Sequence, residues 1–129
     1  MLAPVSDEDI RAKLERHWST AGARNQQAAH EIYHEDCVVE WPQSGERIRG
    51  KANLQALRTA YPAQLGFSVR RILGGGDLWI SEYSISYDGD PVHVVSIMEF
   101  HDGLVARETH YFAGPFEPPE WRARWVERM

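Results

Sequence analysis

The sequence predicts an α+β protein in which helices pack on one face of a curved sheet. Apolar residues recur at helical spacing up to Tyr61, and from Phe67 onward the pattern changes to the alternation typical of strands. Turn residues separate the later apolar runs, and Asp102-Gly103 is a strong hairpin signal. Helices followed by hairpin-linked strands are typical of an α+β domain with an antiparallel sheet.

Three helices are predicted in the first half of the chain. The first begins after Ser6, whose side chain can cap it, and ends at Gly22. The three acidic residues after Ser6 suit the positive end of the helix dipole. A second helix is predicted over Asn25–His34 and a third over Lys51–Ala60, with Pro62 closing the third.

The predicted strands begin between the second and third helices and then form a meander. A short apolar run around Ile48 predicts a brief strand before the third helix. The longer predicted strands are Cys37–Trp41, Phe67–Leu73, Leu78–Tyr87, Val92–Phe100 and Leu104–Phe112. Their predicted turns are Gly74–Asp77, Asp88–Pro91 and Asp102-Gly103. After an irregular link, Glu120–Arg128 predicts a last short helix with Trp121 and Trp125 on one face.

Composition predicts one globular domain that does not bind nucleic acid. The chain has 129 residues, so we expect a single domain over 1–129 with a C-terminal extension over 114–129. The net charge of −5 argues against phosphate-backbone binding, which needs clustered Lys and Arg. No apolar run approaches the ~20 residues needed to span a bilayer, and Met1–Pro4 does not begin a secretory signal. A single cysteine, Cys37, fits a reducing compartment, so a cytoplasmic location is predicted.

Several segments carry a resemblance to a known family. They are Tyr33–Glu40, Ser44–Glu46, Ile48–Gly50, Phe100–Val105 and Tyr111-Phe112. Over nearly all of residues 5–113 the chain resembles the nuclear transport factor 2-like superfamily, and within it the SnoaL-like, polyketide cyclase-like group. The tail segments Tyr111–Phe116 and Glu120–Ala123 resemble a bacterial subgroup of that family without an assigned activity. The resemblance implies a cone-shaped pocket between three N-terminal helices and the concave face of a mixed or antiparallel sheet.

The resemblance also points to His110 and Glu108 as catalytic candidates. In SnoaL-like cyclases, an Asp on the last strand, shortly after the Asp-Gly turn, serves as acid and base. His110 falls at the matching position, and an imidazole with an ordinary pKa of about 6.5 suits proton transfer near neutrality. Glu108 would tune His110 if both face the pocket. The alternatives are a His110 that only shapes the pocket and a Glu108 that forms a surface ion pair.

The register of the last hairpin decides which of these side chains share a face. A three-residue loop with a bulge at Gly103 would place Ser96, Met98, Glu108 and His110 together. A two-residue turn would instead group Ile97 with Glu108 and Val95 with His110. The family resemblance favours the first register.

Aromatic and polar residues on the inner faces are the predicted ligand-binding set. The expected pocket walls are Trp18, Tyr33, Trp41, Tyr61, Met98 and Phe112. His17 and Tyr33 could hydrogen-bond a ligand carbonyl, although each could equally be a structural polar group. An aromatic lining suits a flat, apolar ligand, while plain core packing is the alternative for any one of these side chains.

Two mechanisms known in the family do not match these residues. Ketosteroid isomerases need an Asp base on the first strand, where this chain has Trp41. Their oxyanion-hole Tyr would match His17 or Trp18, and their protonated acid would match Ser96 or Met98. Limonene-type epoxide hydrolases use an Arg and an Asp two apart on a strand, and no Arg-x-Asp occurs in this sequence.

One motif suggests a different chemistry. His30-Glu31-Ile32-Tyr33-His34 matches the His-Glu-x-x-His zinc signature, which needs both imidazoles on one helix face. The predicted helix is short, however, and His34 lies at its end. A zinc hydrolase based on His30 and His34 is therefore disfavoured, and no metal or other cofactor is predicted.

Three functional hypotheses follow. The first is a small-molecule enzyme that performs cofactor-free proton transfer, in an isomerisation, aldol cyclisation or dehydration. The second is a ligand-binding module without turnover, and the third is a protein-interaction module. The expected partners are a small, largely apolar organic molecule and a second copy of the chain, without nucleic acid or membrane. The resemblance implies a homodimer through the outer sheet face, to which His93, Val95 and Ile97 would contribute.

Overall fold

The structure, a computed structural model, describes residues 5–22, 25–61, 65–87 and 90–129. Its helices are α1 (Asp7–Gly22), α2 (Gln26–Ala29) and α3 (Lys51–Ala60). Its strands are β1 (Tyr33–Trp41), β2 (Glu46–Arg49), β3 (Leu65–Gly75), β4 (Leu78–Tyr87), β5 (Asp90–His101) and β6 (Leu104–Ala113). The predictions for Met1–Pro4, Pro62 and Asp88-Gly89 lie outside the described residues.

Helix α1 begins where the sequence predicts and turns an apolar face inward. The Ser6 hydroxyl accepts a hydrogen bond from the Asp9 amide at 3.1 Å, and the Ser6 amide donates to the Asp9 carboxylate at 3.4 Å. These bonds satisfy amides that have no partner within the helix. The buried residues of α1 are Ile10, Leu14, His17 and Trp18.

Helix α2 is much shorter than predicted, and this corrects the interpretation of residues 25–34. Asn25 caps α2 by accepting from the Ala28 amide at 3.2 Å, but the helix ends at Ala29. The chain then turns over residues 30–32, and β1 already begins at Tyr33. The Val105 amide donates to the Ile32 carbonyl at 2.8 Å, so pairing with β6 replaces further helical bonds.

The six strands form one curved, unclosed sheet in the order β2-β1-β6-β5-β4-β3. Strands β1 and β6 run parallel, and all other neighbouring strands are antiparallel. The α+β prediction is confirmed, with helices packed against the sheet. Helix α1 contacts β3, and α3 contacts β1 and β2, so the helices and the inner face of the sheet enclose the core.

The last hairpin has a different turn from the expected one, yet it groups the same side chains. His101 pairs with Leu104 across a two-residue turn, so the three-residue loop predicted there is wrong. Asp102 and Gly103 have φ values of 50° and 78°, both positive as a type I′ turn requires. A bulge at Ala106 then shifts the register by one residue. The shift pairs Ser96 with His110 and Met98 with Glu108 on the inner face.

The C-terminal segment differs from the predicted helix. Residues 114–119 are irregular, and a 3-10 helix spans only Glu120–Trp125. Trp121 and Trp125 are 73% and 68% exposed, so their four-residue spacing does not mark a buried face. Among the described residues, no helix has the length and apolar character to cross a membrane.

Candidate active site

A cavity of about 590 Å³ lies between the helices and the inner face of the sheet. Its wall is largely aromatic, formed by Trp18, Trp41, Tyr61, Phe67, Tyr83 and Phe112. Four basic side chains interrupt this apolar surface: His17, His30, Arg58 and His110. A concave aromatic space with a few convergent polar groups is the usual form of a small-molecule site.

Glu108 is a fully buried carboxylate at the centre of a polar network beneath this cavity. One oxygen, Oε2, accepts a hydrogen bond from the Ser96 hydroxyl at 2.5 Å and lies 2.9 Å from His110 Nε2. The other oxygen, Oε1, accepts from the Tyr33 hydroxyl and lies 3.7 Å from Arg58 Nη2. Three donors and one guanidinium cation, from four different elements, therefore surround this carboxylate, as a buried charge requires.

The groups around Glu108 determine its protonation state. Burial alone would raise the pKa of the Glu108 carboxyl, but the hydrogen bond from His110 and the charge of the Arg58 guanidinium outweigh burial and hold that pKa well below its usual range. Burial raises the pKa of Tyr33 well above its usual value, so the phenol stays protonated and donates. At neutral pH the centre of the network is thus an ionised carboxylate.

The hydrogen bonds of His110 assign its tautomer. Trp41 Nε1 lies 3.2 Å from His110 Nδ1, and an indole nitrogen can only donate. Nδ1 is therefore the unprotonated nitrogen, and the proton resides on Nε2, which donates to Glu108. In this state His110 is a neutral imidazole oriented by a carboxylate. Its basic lone pair, on Nδ1, is covered by the indole N–H of Trp41.

Arg58 connects His30 to the network, and the sequence did not predict it as a site residue. Its Nη1 donates to the Tyr33 hydroxyl and to His30 Nε2, both at 3.2 Å. Burial lowers the pKa of His30, whose Nδ1–H donates to the Gln26 carbonyl at 2.6 Å. The available signal was spacing, because Arg58 follows the fully buried Leu54 by four residues on α3.

His17 presents a second acceptor to the cavity. Its Nδ1–H donates to the Ala29 carbonyl at 2.7 Å, which leaves Nε2 as a lone pair. Nε2 has no hydrogen-bond partner among the described residues. Every buried side-chain nitrogen or oxygen in the described ranges has a partner, so the unpaired Nε2 must be accessible from the cavity. Burial lowers the pKa of His17 to about 4, so the ring is neutral at physiological pH.

The predicted site residues separate into two layers. The cavity wall contains His17, Trp18, Trp41, Tyr61, His110 and Phe112. Tyr33, Met98 and Glu108 do not line the cavity; they are buried beneath it, with at most 1% of each residue exposed. Tyr33 and Met98 are therefore support for the wall rather than part of it. The Tyr33 hydroxyl donates to Glu108, which leaves no phenolic proton for a ligand carbonyl.

The zinc-like motif is divided between two elements. His30 follows α2 and binds Arg58, whereas His34 lies on β1 with Nε2 2.8 Å from the His101 carbonyl. Without a shared helix face the two imidazoles do not form the expected ligand pair. Within the described ranges, no group of three or more His, Cys, Asp or Glu side chains is placed to hold a metal ion.

Comparison with known proteins identifies the family. A family model described as the SnoaL-like domain matches residues 14–108, and the chain belongs to this SnoaL-like family with its nuclear transport factor 2-like fold. No curated protein matches the chain. The chain is similar to solved structures that share both fold and sequence.

Two solved structures share substantial identity with this chain. One is an NTF-2-like protein of unknown function from Burkholderia xenovorans LB400, with 52% identity, a TM-score of 0.89, and coverage of 97% of this chain and 98% of that one. The other, from Kribbella flavida DSM 17836, is described as a proposed ketosteroid isomerase. It has 30% identity and a TM-score of 0.87, and the match covers 96% of this chain and 93% of that one.

A more distant structure shares the fold. It is described as an LEH-like epoxide hydrolase from M. tuberculosis, with 22% identity and a TM-score of 0.68. The match covers 84% of this chain and 85% of that one. These neighbours place different activities on one fold, so the residues of the cavity must carry the functional argument.

Proposed function

We propose that the protein binds a small, largely apolar organic molecule in its conical cavity and catalyses cofactor-free proton transfer on it. The observation that carries this proposal is the pairing of His110 with the buried Glu108 at the cavity wall, 2.9 Å apart. Orientation of a histidine by a carboxylate on one nitrogen, with the other nitrogen as the base, is a recurrent arrangement for acid–base catalysis. An isomerisation, an aldol cyclisation or a dehydration of a carbonyl compound would use it.

The residues can be assigned complementary roles in such a step. His110 Nδ1 would take a proton from the carbon next to the ligand carbonyl, once the ligand displaces the Trp41 indole from Nδ1. Glu108 holds Nε2–H and stabilises the imidazolium that forms. The electron pair of the broken C–H bond moves to the carbonyl oxygen, where the displaced indole N–H of Trp41 would stabilise the enolate. Return of the proton to a different atom completes an isomerisation.

The similarity to the Kribbella flavida protein gives limited support for an isomerase. Trp41 lies at the first-strand position where the family resemblance implies the Asp base of the ketosteroid isomerases. The first strand therefore supplies an indole donor here, and the base would come from β6 at His110. An isomerisation by this protein would differ from the ketosteroid isomerase mechanism in the origin of its base.

A second candidate function is ligand binding without turnover. The observation that favours it is that protein groups alone satisfy the polar network around Glu108 and His110. Glu108 already has its donors, and the base nitrogen of His110 is already covered by Trp41. A site built only to shape a cavity would have this satisfied arrangement.

Ligand binding can be tested by filling the cavity. Ala21 lines the cavity on α1, whereas Ala12 is exposed on the same helix. We expect Ala21→Phe to abolish binding of the neutral ketone 2-tetralone in a calorimetric titration, and Ala12→Phe to leave it unchanged. Equal binding by both variants would show that the ketone binds elsewhere. Turnover is tested with His110→Gln, which should retain binding but lose acceleration of hydrogen exchange at the α-carbon of the ketone.

We also propose that the protein forms a homodimer through the outer face of the sheet. Ile80 and Tyr111 are 37% and 44% exposed on this face, beside the half-buried Val95 and Ile97. An apolar sheet face of this kind is commonly covered by a partner. Light scattering should give the mass of a dimer for the native chain and of a monomer for Ile80→Lys. A native chain that elutes as a monomer at micromolar concentration would contradict the proposal.

A further inference from the structure

We propose that the ligand carries a carboxylate group and that Arg58 binds it through the Nε and Nη2 edge of its guanidinium. This inference rests on the proposed ligand-binding function and narrows the ligand class to flat, largely apolar monoacids.

Arg58 is held rigidly at the cavity wall by one side of its guanidinium. It lies on the inner face of α3, one turn after the fully buried Leu54. Both hydrogens of Nη1 are committed, one to His30 Nε2 and one to the Tyr33 hydroxyl. The guanidinium also lies over the Tyr33 ring, 5.4 Å from its centroid. These contacts fix the plane of the fork before a ligand arrives, which reduces the entropy lost on binding.

The other edge of the guanidinium is free. Nε and Nη2 donate no hydrogen bond to any described residue, and the separation of 3.7 Å between Nη2 and Glu108 Oε1 is too long for one. None of the unpaired side-chain polar atoms in the described ranges is buried, so these N–H groups are open. The side chain of Arg58 is 25% exposed and lines the cavity. Parallel N–H groups on one edge match the two oxygens of a carboxylate.

The remaining polar groups of the wall set the orientation of such a ligand. Among the described lining residues Arg58 is the only Lys or Arg, and none of them is an Asp or Glu. The unpaired Nε2 atom of His17 carries a lone pair. Nδ1 of His110 also presents a lone pair once the Trp41 indole moves away. A carboxylate only accepts hydrogen bonds, so it would be repelled at both histidines and attracted at Arg58. The opposite, proton-bearing end of the ligand would then face the histidines.

Glu108 does not prevent this pairing. Three donors other than Arg58 already hold its carboxylate: Tyr33, Ser96 and His110. Arg58 is therefore not needed to satisfy the hydrogen-bonding capacity of Glu108, and its cationic charge can be shared with a ligand. The proximity of Glu108 does disfavour a dianion, so we infer a monoacid rather than a phosphate ester.

The test compares 2-naphthoate with 2-naphthamide, which have the same ring system and differ in the charged group. Titration calorimetry near neutral pH should show at least roughly tenfold tighter binding of the naphthoate to the native protein, as expected for a charge-assisted bidentate contact. Arg58→Lys keeps the charge beside Glu108 but removes the fork. It should weaken naphthoate binding by about tenfold and change naphthamide binding by less than about threefold.

The matched control is Arg70→Lys, since Arg70 is 76% exposed on β3 and does not line the cavity. It should leave the binding of both probes unchanged. The comparison of the two probes on the native protein needs no variant, so it decides the question even if Arg58→Lys fails to fold. Equal binding of the two probes, or tighter binding of the amide, would overturn the role of Arg58 and leave the proposed function intact. Failure of both probes to bind would count against the proposed function as well.

Discussion

His110 Nε2 lies 2.9 Å from the Oε2 atom of Glu108, two residues earlier on the same strand. Both residues are buried, with 4% of His110 and none of Glu108 exposed. The pair thus places an ionised carboxylate behind an imidazole whose second nitrogen is on the cavity side of the network.

Loss of the Glu108 charge should destabilise the fold. Glu108→Gln replaces a carboxylate that accepts from three donors with an amide that must donate, and it leaves Arg58 without its buried counterion. Removal of one partner from a buried pair costs about 3 kcal/mol or more. Urea unfolding should show a loss of this size, whereas Glu40→Gln should lose much less because the ion pairs of Glu40 are on the surface. Equal losses in the two variants would contradict the network.

The tautomer of His110 can be observed directly. Long-range ¹H–¹⁵N correlation spectra at mildly alkaline pH should show the proton on Nε2 and the lone pair on Nδ1, because Trp41 donates to Nδ1. Trp41→Phe removes that donor and should shift the Nδ1 signal while Nε2 stays protonated. Spectra that place the proton on Nδ1 in the native protein would be incompatible with the assigned hydrogen bonds.

Stability should fall as the pH falls from about 6.5 toward 4. The folded-state pKa of His17 is lowered to about 4 from 6.5 by burial. In that window the unfolded chain binds more protons, so the free energy of unfolding decreases with decreasing pH. The loss is fully developed below the folded-state pKa and amounts to about 2 kcal/mol between roughly pH 7.5 and pH 5.

A pair of histidine variants isolates this effect. His17→Asn keeps a donor for the Ala29 carbonyl and should flatten the pH dependence of unfolding. His101→Asn changes a side chain that is 73% exposed and should reproduce the native pH dependence. The burial argument fails if His17→Asn unfolds with the same pH dependence as the native protein.

The geometry of the two-residue turn predicts how strongly a glycine-to-alanine substitution at Gly103 lowers the stability of the fold. Gly103 has a positive φ, and an added Cβ would meet Val5 Cγ2 at 3.0 Å and Lys13 Nζ at 3.1 Å. Gly45 also has a positive φ but has open space around it. Thermal or urea unfolding should show a loss of about 1 kcal/mol for Gly45→Ala and about 2 kcal/mol for Gly103→Ala. Gly114→Ala should be neutral, and a neutral Gly103→Ala would argue against the turn.

The sequence predicted the fold well because most of the fold follows from local patterns. Ser6 caps α1 as expected, and the switch from helical to alternating periodicity marks the sheet. The errors occur where distant contacts override local preference. Residues 30–34 have a helical pattern, but pairing between β1 and β6 draws Tyr33 into a strand. The bulge at Ala106 is likewise set by the partner strand and has no local signature.

The site was predictable only in part, for a related reason. Alternation along β6 is enough to place Glu108 and His110 on one face, two residues apart. The partners that define their chemistry come from elsewhere: Arg58 from α3, Ser96 from β5 and Trp41 from β1. Such convergence depends on the three-dimensional packing of elements that are far apart in sequence. The free edge of Arg58 is therefore visible only in the folded structure.

The most direct test of the central claim is the rate of α-hydrogen exchange of 2-tetralone in D₂O, followed by proton NMR. The native protein should accelerate exchange over buffer, because His110 Nδ1 accepts the proton while Glu108 holds Nε2. His110→Gln should abolish the acceleration, and Glu108→Gln should reduce it by about a hundredfold or more, as expected for loss of general acid–base catalysis. Exchange that is equally fast with native protein and with His110→Gln would contradict a catalytic role for this pair.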